Sequence, residues 1–265
     1  MSVMPKRWRK SWAALALLPL TAWGLAGCHS SAAPSGPPCT ASSTTGSFAL
    51  DTDQAANAAT IAAVATRLGL PPHAATIALA TALQESKLIN LPFGDQDSLG
   101  LFQQRPSQGW GAPTEIMIPR EAAAAFYQHL EQVPDWQNLP VTVAAQDVQH
   151  SADGSAYAQW EAGARQLAQA LTGEVPAAFT CRIASKPSDP TPMATVTSDL
   201  TADLGAASLG VPVASALGWQ VAGWLVGHAA TDGFTSITFG GMRWSSRTGK
   251  WTPTQPVSNM VEVAQ

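Results

Sequence analysis

The middle of the chain consists of apolar stretches with helical periodicity, separated by residues that start or stop helices. Alanine and leucine recur at helical spacing from Asp51 to Gly173, and glycines or prolines stand between the stretches. The pattern predicts helices over residues 52–68, 73–87, 118–132, 140–150 and 154–172. Little in this segment alternates with the two-residue period of a strand. We therefore predict a mainly α domain over residues 51–181.

The second of these helices is apolar on all sides and ends in a carboxylate. Pro71 and Pro72 precede it at favoured positions, and residues 74–83 are all Ala, Ile, Leu or Thr. A helix that is apolar all round is buried, and Glu85 stands where this one ends. Desolvation raises the pKa of such a carboxyl group, and glycosidic cleavage needs a protonated acid. Taken alone, Glu85 also fits an ordinary solvated helix end.

The first 28 residues have the order of a secretory signal. A basic start is followed by an apolar run over residues 11–26, interrupted by Pro19, and then by small residues. The ending Leu25-Ala26-Gly27-Cys28 resembles a bacterial lipobox. The resemblance implies a lipoprotein signal over residues 1–28, lipidation of Cys28, and export to the outer face of the cytoplasmic membrane. Membrane contact would then be through this lipid only. An ordinary signal peptide or an uncleaved anchor is the alternative.

Composition divides the rest of the chain. Residues 29–50 are rich in Ser, Thr, Ala, Pro and Gly, which predicts a flexible tether. Residues 182–195 contain three prolines and are interpreted as a linker. Residues 196–265 predict a small α/β module with helices at 199–209 and 218–230 and strands at 234–239, 242–245 and 257–263. Outside the cytoplasm the two remaining cysteines, Cys39 and Cys181, are expected to pair; two unrelated thiols are the alternative.

Charge and hydropathy exclude several classes of protein. Hydrophobic residues make up 46% and charged residues 12%, which excludes a disordered, highly charged chain. No stretch beyond the N-terminus is long and apolar enough for a channel or permease. All 18 acidic residues lie after Cys28, so the chain beyond it should repel nucleic acid. The five scattered histidines predict no metal site, and we expect no cofactor and a monomer.

A motif around Glu85 resembles that of two families of wall-degrading enzymes. Glu85-Ser86 is followed by the run Ser98-Leu99-Gly100-Leu101-Phe102-Gln103, with Gln103 eighteen positions after Glu85. The spacing and residues resemble lytic transglycosylases and goose-type lysozymes, with Phe102 in place of their Met, over residues 52–172. The resemblance implies a lysozyme-like fold.

The resemblance also implies roles for individual residues. Glu85 would act as the acid and then as the base, and Ser86 would orient the site. Ser98 fills the small position, Gly100 would let backbone approach the sugar, and Gln103 would hydrogen-bond near Glu85 or the saccharide.

Further candidates flank this motif. Gly94-Asp95 resembles the Gly-Asp of goose-type lysozymes, so Asp95 or Asp97 could be a second catalytic carboxylate, a weak calcium ligand or a turn former. Gln104 and Trp110 suit a sugar-binding rim, although Trp110 equally suits a core. The late Ala-Tyr-Asn-Ala-Gly motif of transglycosylases is missing, and Gln149 and Tyr157 are the nearest substrate-binding candidates.

These observations predict a lipid-anchored enzyme that cleaves the glycan strands of peptidoglycan. The eighteen-residue spacing favours a transglycosylase over a hydrolase. Two alternatives stay open, a lysozyme-like protein that binds glycan without cutting it and a solute- or metal-binding lipoprotein of an importer. The C-terminal module weakly resembles degenerate wall-peptidase-like modules. Four of its tryptophans form either a wall-binding platform or a core: Trp219, Trp224, Trp244 and Trp251.

Overall fold

The helices of the computed structural model follow the apolar stretches of the sequence. The structure describes residues 38–151, 154–205 and 209–265, so the predicted signal segment and Cys28 lie outside the described residues. The helices are α1 (Thr52–Arg67), α2 (Pro72–Ser86), α3 (Pro113–Ile116), α4 (Pro119–Leu130), α5 (Val141–Gln149), α6 (Ala158–Leu171), α7 (Met193–Leu204) and α8 (Ser215–Asp232). The strands are β1 (Cys39–Ser43), β2 (Gly46–Leu50), β3 (Phe179–Cys181), β4 (Ser236–Phe239), β5 (Met242–Ser245), β6 (Lys250–Pro253) and β7 (Glu262–Ala264).

Local signals define the two central helices. The backbone N–H of Asp51, just before α1, donates to Gln54 Oε1 at 2.8 Å, and Gly69 after the helix adopts a left-handed φ of 70°. Pro72 is the first residue of α2, whose apolar positions are almost all buried. α2 packs against α6, α1 and α5. The predicted mainly helical character of this region is therefore confirmed, and α2 lies at its centre.

The prediction of a flexible tether over residues 29–50 is wrong for residues 38–50. Residues 29–37 lie outside the described residues, but β1 and β2 form an antiparallel hairpin, and β1 also pairs with β3. Cys39 and Ala41 are fully buried at alternate positions of β1, and they are too small to give a recognisable strand pattern. Cys39 and Cys181 face each other across β1 and β3 and form a disulfide bond. The hairpin and the disulfide close the two ends of the helical region.

The C-terminal residues contain the predicted mixture of helices and strands, with one strand more. Strands β4, β5 and β7 correspond to the predicted strands, whereas β6 was not predicted. The sheet is antiparallel in the order β6-β5-β4-β7. The Pro-rich segment 182–195 is held to this sheet and to α8: Ile183 N–H donates to Ser246 O at 2.7 Å, and Pro190 packs against Gly233.

Helix α8 packs directly on α1. A Cβ atom at Gly227 would come within 2.8 Å of Ala59 Cβ and 3.0 Å of Ala55 O, so only glycine permits this approach. All described residues belong to one compact unit, and they share one hydrophobic core. Trp219, Trp224 and Trp244 are buried in that core and Trp251 is half-buried, which favours the core interpretation over an open wall-binding platform. No helix in the described ranges is long and apolar enough to cross a membrane.

Candidate functional site

Glu85 lies in the last turn of α2, and neighbouring elements fix the backbone around it. Lys87 and Leu88, which follow the helix, both adopt left-handed φ angles, an uncommon conformation for residues with a Cβ. Two side chains of α1 hold this turn: Gln54 Nε2 donates to Lys87 O and Asn57 Nδ2 donates to Leu88 O, each at 2.8 Å. The end of the buried helix is therefore set by contacts with α1 as well as by its own sequence.

Ser86 connects this helix end to the loop that carries the rest of the motif. Its buried hydroxyl donates to Leu101 O at 2.7 Å. Leu101 lies between Gly100, which the resemblance places near the sugar, and Gln103, which it places near Glu85 or the saccharide. The geometry is compatible with the orienting role predicted for Ser86, because the bond fixes the distance between the loop and Glu85.

The carboxyl group of Glu85 is half-buried and accepts a hydrogen bond from Tyr157. The Tyr157 hydroxyl donates to Glu85 Oε1 at 2.8 Å, and the tyrosine side chain is itself fully buried. Desolvation raises the pKa of Glu85 above its ordinary value, although hydrogen bonds from Tyr157 and Gln149 and the charge of Lys87 lower it. The protonated carboxylic acid therefore persists to higher pH than in a solvated glutamate.

Glu85 lines a cleft of about 750 Å³, and most of the predicted site residues line the same cleft. The volume is in the range of sites that hold small molecules or oligomer segments. The cleft is lined by Glu85, Asp95, Ser98, Gln103, Arg105, Gln108, Trp110, His129, Val148, Gln149, His150 and Ser151. Residues far apart in the sequence thus meet in the cleft that contains Glu85.

The loop carrying the motif is packed tightly against itself. The side chains of Gln103 and Ser98 occupy the space that a Cβ atom at Gly94 would need. Gln103, at a left-handed φ of 48°, donates from Nε2 to Gly100 O at 3.2 Å. Gly100 is close to Ile116 O, which a Cβ atom would meet at 2.8 Å. Packing against the backbone at Ile116 by itself requires a glycine at position 100, and the contact with the sugar that the resemblance implies stays a prediction.

The two candidate aspartates differ in their surroundings. Asp97 forms an ion pair with Arg105 Nε at 3.0 Å and accepts a hydrogen bond from Ser107 N–H at 2.8 Å. Hydrogen bonds from Ser107 and Arg105 lower the pKa of Asp97 to about 2. Asp97 is absent from the cleft lining and anchors the loop, whereas Asp95 is exposed and lines the same cleft as Glu85.

The remaining predicted contacts are divided between the cleft and the core. Trp110 is half-exposed at the cleft and stacks on His129 with ring centroids 3.9 Å apart. Gln149 lines the cleft and donates to Phe102 O at 2.8 Å. Gln104, predicted as a substrate contact, is only 1% exposed and lies outside this cleft. In the described part of the chain, no group of His, Cys, Asp and Glu side chains has the arrangement of a metal site.

Several residues of the site carry no sequence signal that would have identified them. Gln54 and Asn57 hold the turn after Glu85 from α1, and they are ordinary polar positions of an Ala-rich helix. His129 enters the cleft from the end of α4, and Ser151 follows α5. Only the three-dimensional arrangement brings them to the motif, because no spacing rule links them to Glu85.

Comparison with known proteins gives no family assignment. No family model matches the sequence, and no curated protein matches it. The resemblance to transglycosylases and goose-type lysozymes therefore remains a hypothesis. It rests on the run from Glu85 to Gln103, and the geometry of the cleft is the independent observation beside it.

Proposed function

We propose that the chain cleaves the β-1,4 bond between N-acetylmuramic acid and N-acetylglucosamine in peptidoglycan, on a lysozyme-like fold. One observation carries the proposal: a glutamic acid with a raised pKa lies in a large cleft, hydrogen-bonded to a buried tyrosine. The cleft also contains Gln103, Gln149 and Trp110, which offer hydrogen-bonding groups and an aromatic surface to a sugar chain.

The proposed reaction needs one carboxyl group. Glu85 donates its proton to the glycosidic oxygen as the C1–O bond breaks and positive charge develops on the sugar ring. The resulting carboxylate then accepts the proton of the sugar's own 6-hydroxyl, whose oxygen forms a bond to C1. The products are one shortened strand and one strand that ends in a 1,6-anhydro sugar, and no water is consumed.

The surroundings of Asp97 support a transglycosylase over a hydrolase, whereas the position of Asp95 in the cleft is compatible with either. An inverting hydrolase needs a second carboxylate to activate water. Asp97 is a poor base for this purpose because its pKa is about 2 and its oxygens accept bonds from Arg105 and Ser107. Among the described residues that line the cleft, Asp95 is the only carboxylate besides Glu85, and it is therefore the candidate base for hydrolysis.

Muropeptide masses test the reaction and its product together. We expect digests of purified cell wall to contain 1,6-anhydro ends, lighter by one water than reducing ends. Asp95→Asn and Asp97→Asn are expected to retain the same products. A digest dominated by reducing ends would contradict the transglycosylase proposal, and loss of cleavage in Asp95→Asn would then identify Asp95 as the base. Wall that is bound but left uncut would favour the glycan-binding alternative.

Removing the Tyr157 hydroxyl should move the pH dependence of cleavage in a defined direction. The Tyr157 hydrogen bond stabilises the ionised form of Glu85, so Tyr157→Phe raises the pKa of Glu85 further. The alkaline limb of the pH–rate profile should therefore shift to higher pH. The matched control is Tyr127→Phe, which loses a buried hydrogen bond to Ile61 O, because neither residue lines the cleft. An unchanged or downward-shifted limb in Tyr157→Phe would contradict this role.

We further propose that the enzyme is anchored to the outer face of the cytoplasmic membrane through Cys28. Acylation of that thiol supplies the anchor. Cys28→Ala is expected to stall signal cleavage or to move the protein from the membrane fraction to the soluble fraction, as measured by fractionation and immunoblotting. A variant that is cleaved and still tightly bound to membranes would contradict the lipoprotein proposal.

A further inference from the structure

The stacked pair of Trp110 and His129 forms one fixed surface of the cleft. The two rings lie 3.9 Å apart between centroids and 25° from parallel. His129 Nδ1 lies 2.9 Å from Ala125 O, one turn earlier in α4, and a carbonyl oxygen only accepts, so Nδ1 carries the hydrogen of this bond. The bond fixes the orientation of the imidazole, and the stacking fixes the indole against it.

The bond of Nδ1 decides what His129 offers to a ligand. When one nitrogen of a neutral imidazole carries the hydrogen, the other has a lone pair and accepts hydrogen bonds. Nε2 of His129 has no hydrogen-bond partner among the described residues, and neither has the indole N–H of Trp110. Both atoms are open to solvent, because the unpaired side-chain atoms that are enclosed in the described part of the chain belong to Asn90, Gln104 and Asp203.

A second stacked pair shows how the same arrangement is completed in the core. Trp224 and His228 also lie 3.9 Å apart between centroids, and His228 Nδ1 makes the same bond to the carbonyl one turn earlier, Trp224 O. There, however, Trp224 Nε1 donates to Asp203 Oδ2 at 2.9 Å, and His228 Nε2 lies 3.4 Å from Thr60 Oγ1. The corresponding donor and acceptor of the cleft pair have no such partners among the described residues, so they are available to a ligand.

The free donor and the free acceptor match the two polar atoms of a secondary amide. The carbonyl oxygen of such an amide accepts from an N–H, and its own N–H donates to a lone pair. The group is also flat and carries apolar carbon, which suits contact with aromatic rings. In a saccharide, this group is the acetamido substituent of a 2-acetamido sugar. A hydroxyl group at the same carbon would have to meet both nitrogens with one oxygen.

We propose that Trp110 and His129 bind the acetamido group of a 2-acetamido sugar in the cleft. The inference rests on the proposed function, and it names the chemical group by which the chain recognises its glycan. The indole N–H donates to the acetamido oxygen, and Nε2 of the imidazole accepts from the acetamido N–H. The pair lines the same cleft as Glu85, so a strand that reaches the acid can place one such group here. The chain would then discriminate against β-1,4 glycans that carry a hydroxyl group at C2.

Two tetrasaccharides with the same linkage test the inference without requiring catalysis. Tetra-N-acetylchitotetraose and cellotetraose are both β-1,4-linked and differ at C2. Each is titrated by calorimetry at pH 8 into the full chain carrying Glu85→Gln, which prevents cleavage during the measurement. We expect the acetylated probe to bind at least about tenfold more tightly. Long-range 1H–15N NMR spectra of the free protein should show the hydrogen of His129 on Nδ1 alone, and only the acetylated probe should shift the Nε2 signal.

Substitutions of the stacked pair separate the acceptor from the fold. In the same background, His129→Asn keeps an amide donor near Ala125 O and removes Nε2, so it should weaken binding of the acetylated probe about fivefold and leave cellotetraose unaffected. His129→Gln carries an amide oxygen toward the position of Nε2 and should restore most of the affinity. Trp110→Phe keeps an aromatic ring without the N–H and should weaken binding by a similar factor. The matched control is His73→Asn, at another half-buried histidine that does not line the cleft.

The outcomes separate this inference from the proposed function. Equal affinity for the two tetrasaccharides, no measurable binding of the acetylated one, a hydrogen on Nε2 in the free protein, or equal weakening by His129→Asn and His73→Asn would overturn the acetamido site. Wall cleavage by the parent protein would still support the glycan-cleaving activity in each of those cases. Selective binding by a protein that fails to cut wall would support the acetamido site and contradict the proposed function.

Discussion

Replacing Glu85 by glutamine is expected to lower the rate of wall cleavage at least about 100-fold, because the amide keeps the shape of the side chain and has no proton to donate. The amide oxygen can still accept the hydrogen bond from Tyr157, so the cleft should keep its arrangement. The rate is measured as release of soluble muropeptides from purified wall, with the Glu131→Gln variant as a control that retains activity. Cleavage by Glu85→Gln at the parent rate would show that another group is the acid.

The Glu85→Gln variant should also match or exceed the parent in stability. Burial raises the pKa of Glu85 in the folded chain above its value in the unfolded chain. Ionisation of Glu85 therefore favours the unfolded state, and this cost develops as the pH rises past the unfolded pKa. Glutamine never ionises, so the melting temperature of Glu85→Gln at pH 8 should equal or exceed that of the parent. A lower melting temperature would mean that any loss of activity reports damage to the fold instead of loss of the acid.

Removal of the Cys39–Cys181 disulfide is expected to lower the free energy of unfolding by about 2–5 kcal/mol. The bond joins residues 142 positions apart, and a long loop loses much conformational freedom when it is closed in the unfolded chain. The loss is measured by urea unfolding of the Cys39→Ala/Cys181→Ala variant against the oxidised parent.

Reduction supplies the control for the disulfide experiment. A reducing agent should destabilise the parent by a similar amount and should leave the double alanine variant unchanged. If the parent is insensitive to reduction, or if both thiols label without reduction, the bond does not form in the folded protein. Because β1 and β3 also pair through their backbones, the reduced chain is expected to keep its helices while the ends of the helical region loosen.

The sequence predicts the helices well where apolar residues and helix-end signals coincide. α2 matches its prediction because an apolar run follows Pro72 and the chain reverses at Lys87. The hairpin of β1 and β2 escapes prediction because its buried residues, such as Ala41, are small and its exposed ones resemble a linker. The packing of α8 on α1 is not predicted for another reason. Contact between distant segments depends on matching surfaces, which the periodicity along one segment does not describe.

The candidate site is predicted in outline and corrected in detail. The spacing of the motif places Glu85, Ser98 and Gln103 near one another, and all three line one cleft. The loop after α2 is short and brings the chain back to the end of that helix. The spacing cannot separate neighbours within a tight turn: Gln103 reaches the cleft, and Gln104 enters the interior beside it. Composition likewise cannot distinguish Asp95 from Asp97, because only their partners decide which one is engaged with Arg105.

The contact between Gly227 and Ala59 also constrains how this chain can change over evolutionary time. The small residues on both helices mean that neither surface tolerates enlargement unless the other recedes. Substitutions in α1 and α8 should therefore be accepted in pairs, and a gene that lost the segment after Cys181 would leave the apolar side of α1 exposed to water. Selection on the cleft around Glu85 would then also act on α8, a helix that contributes no described residue to that cleft.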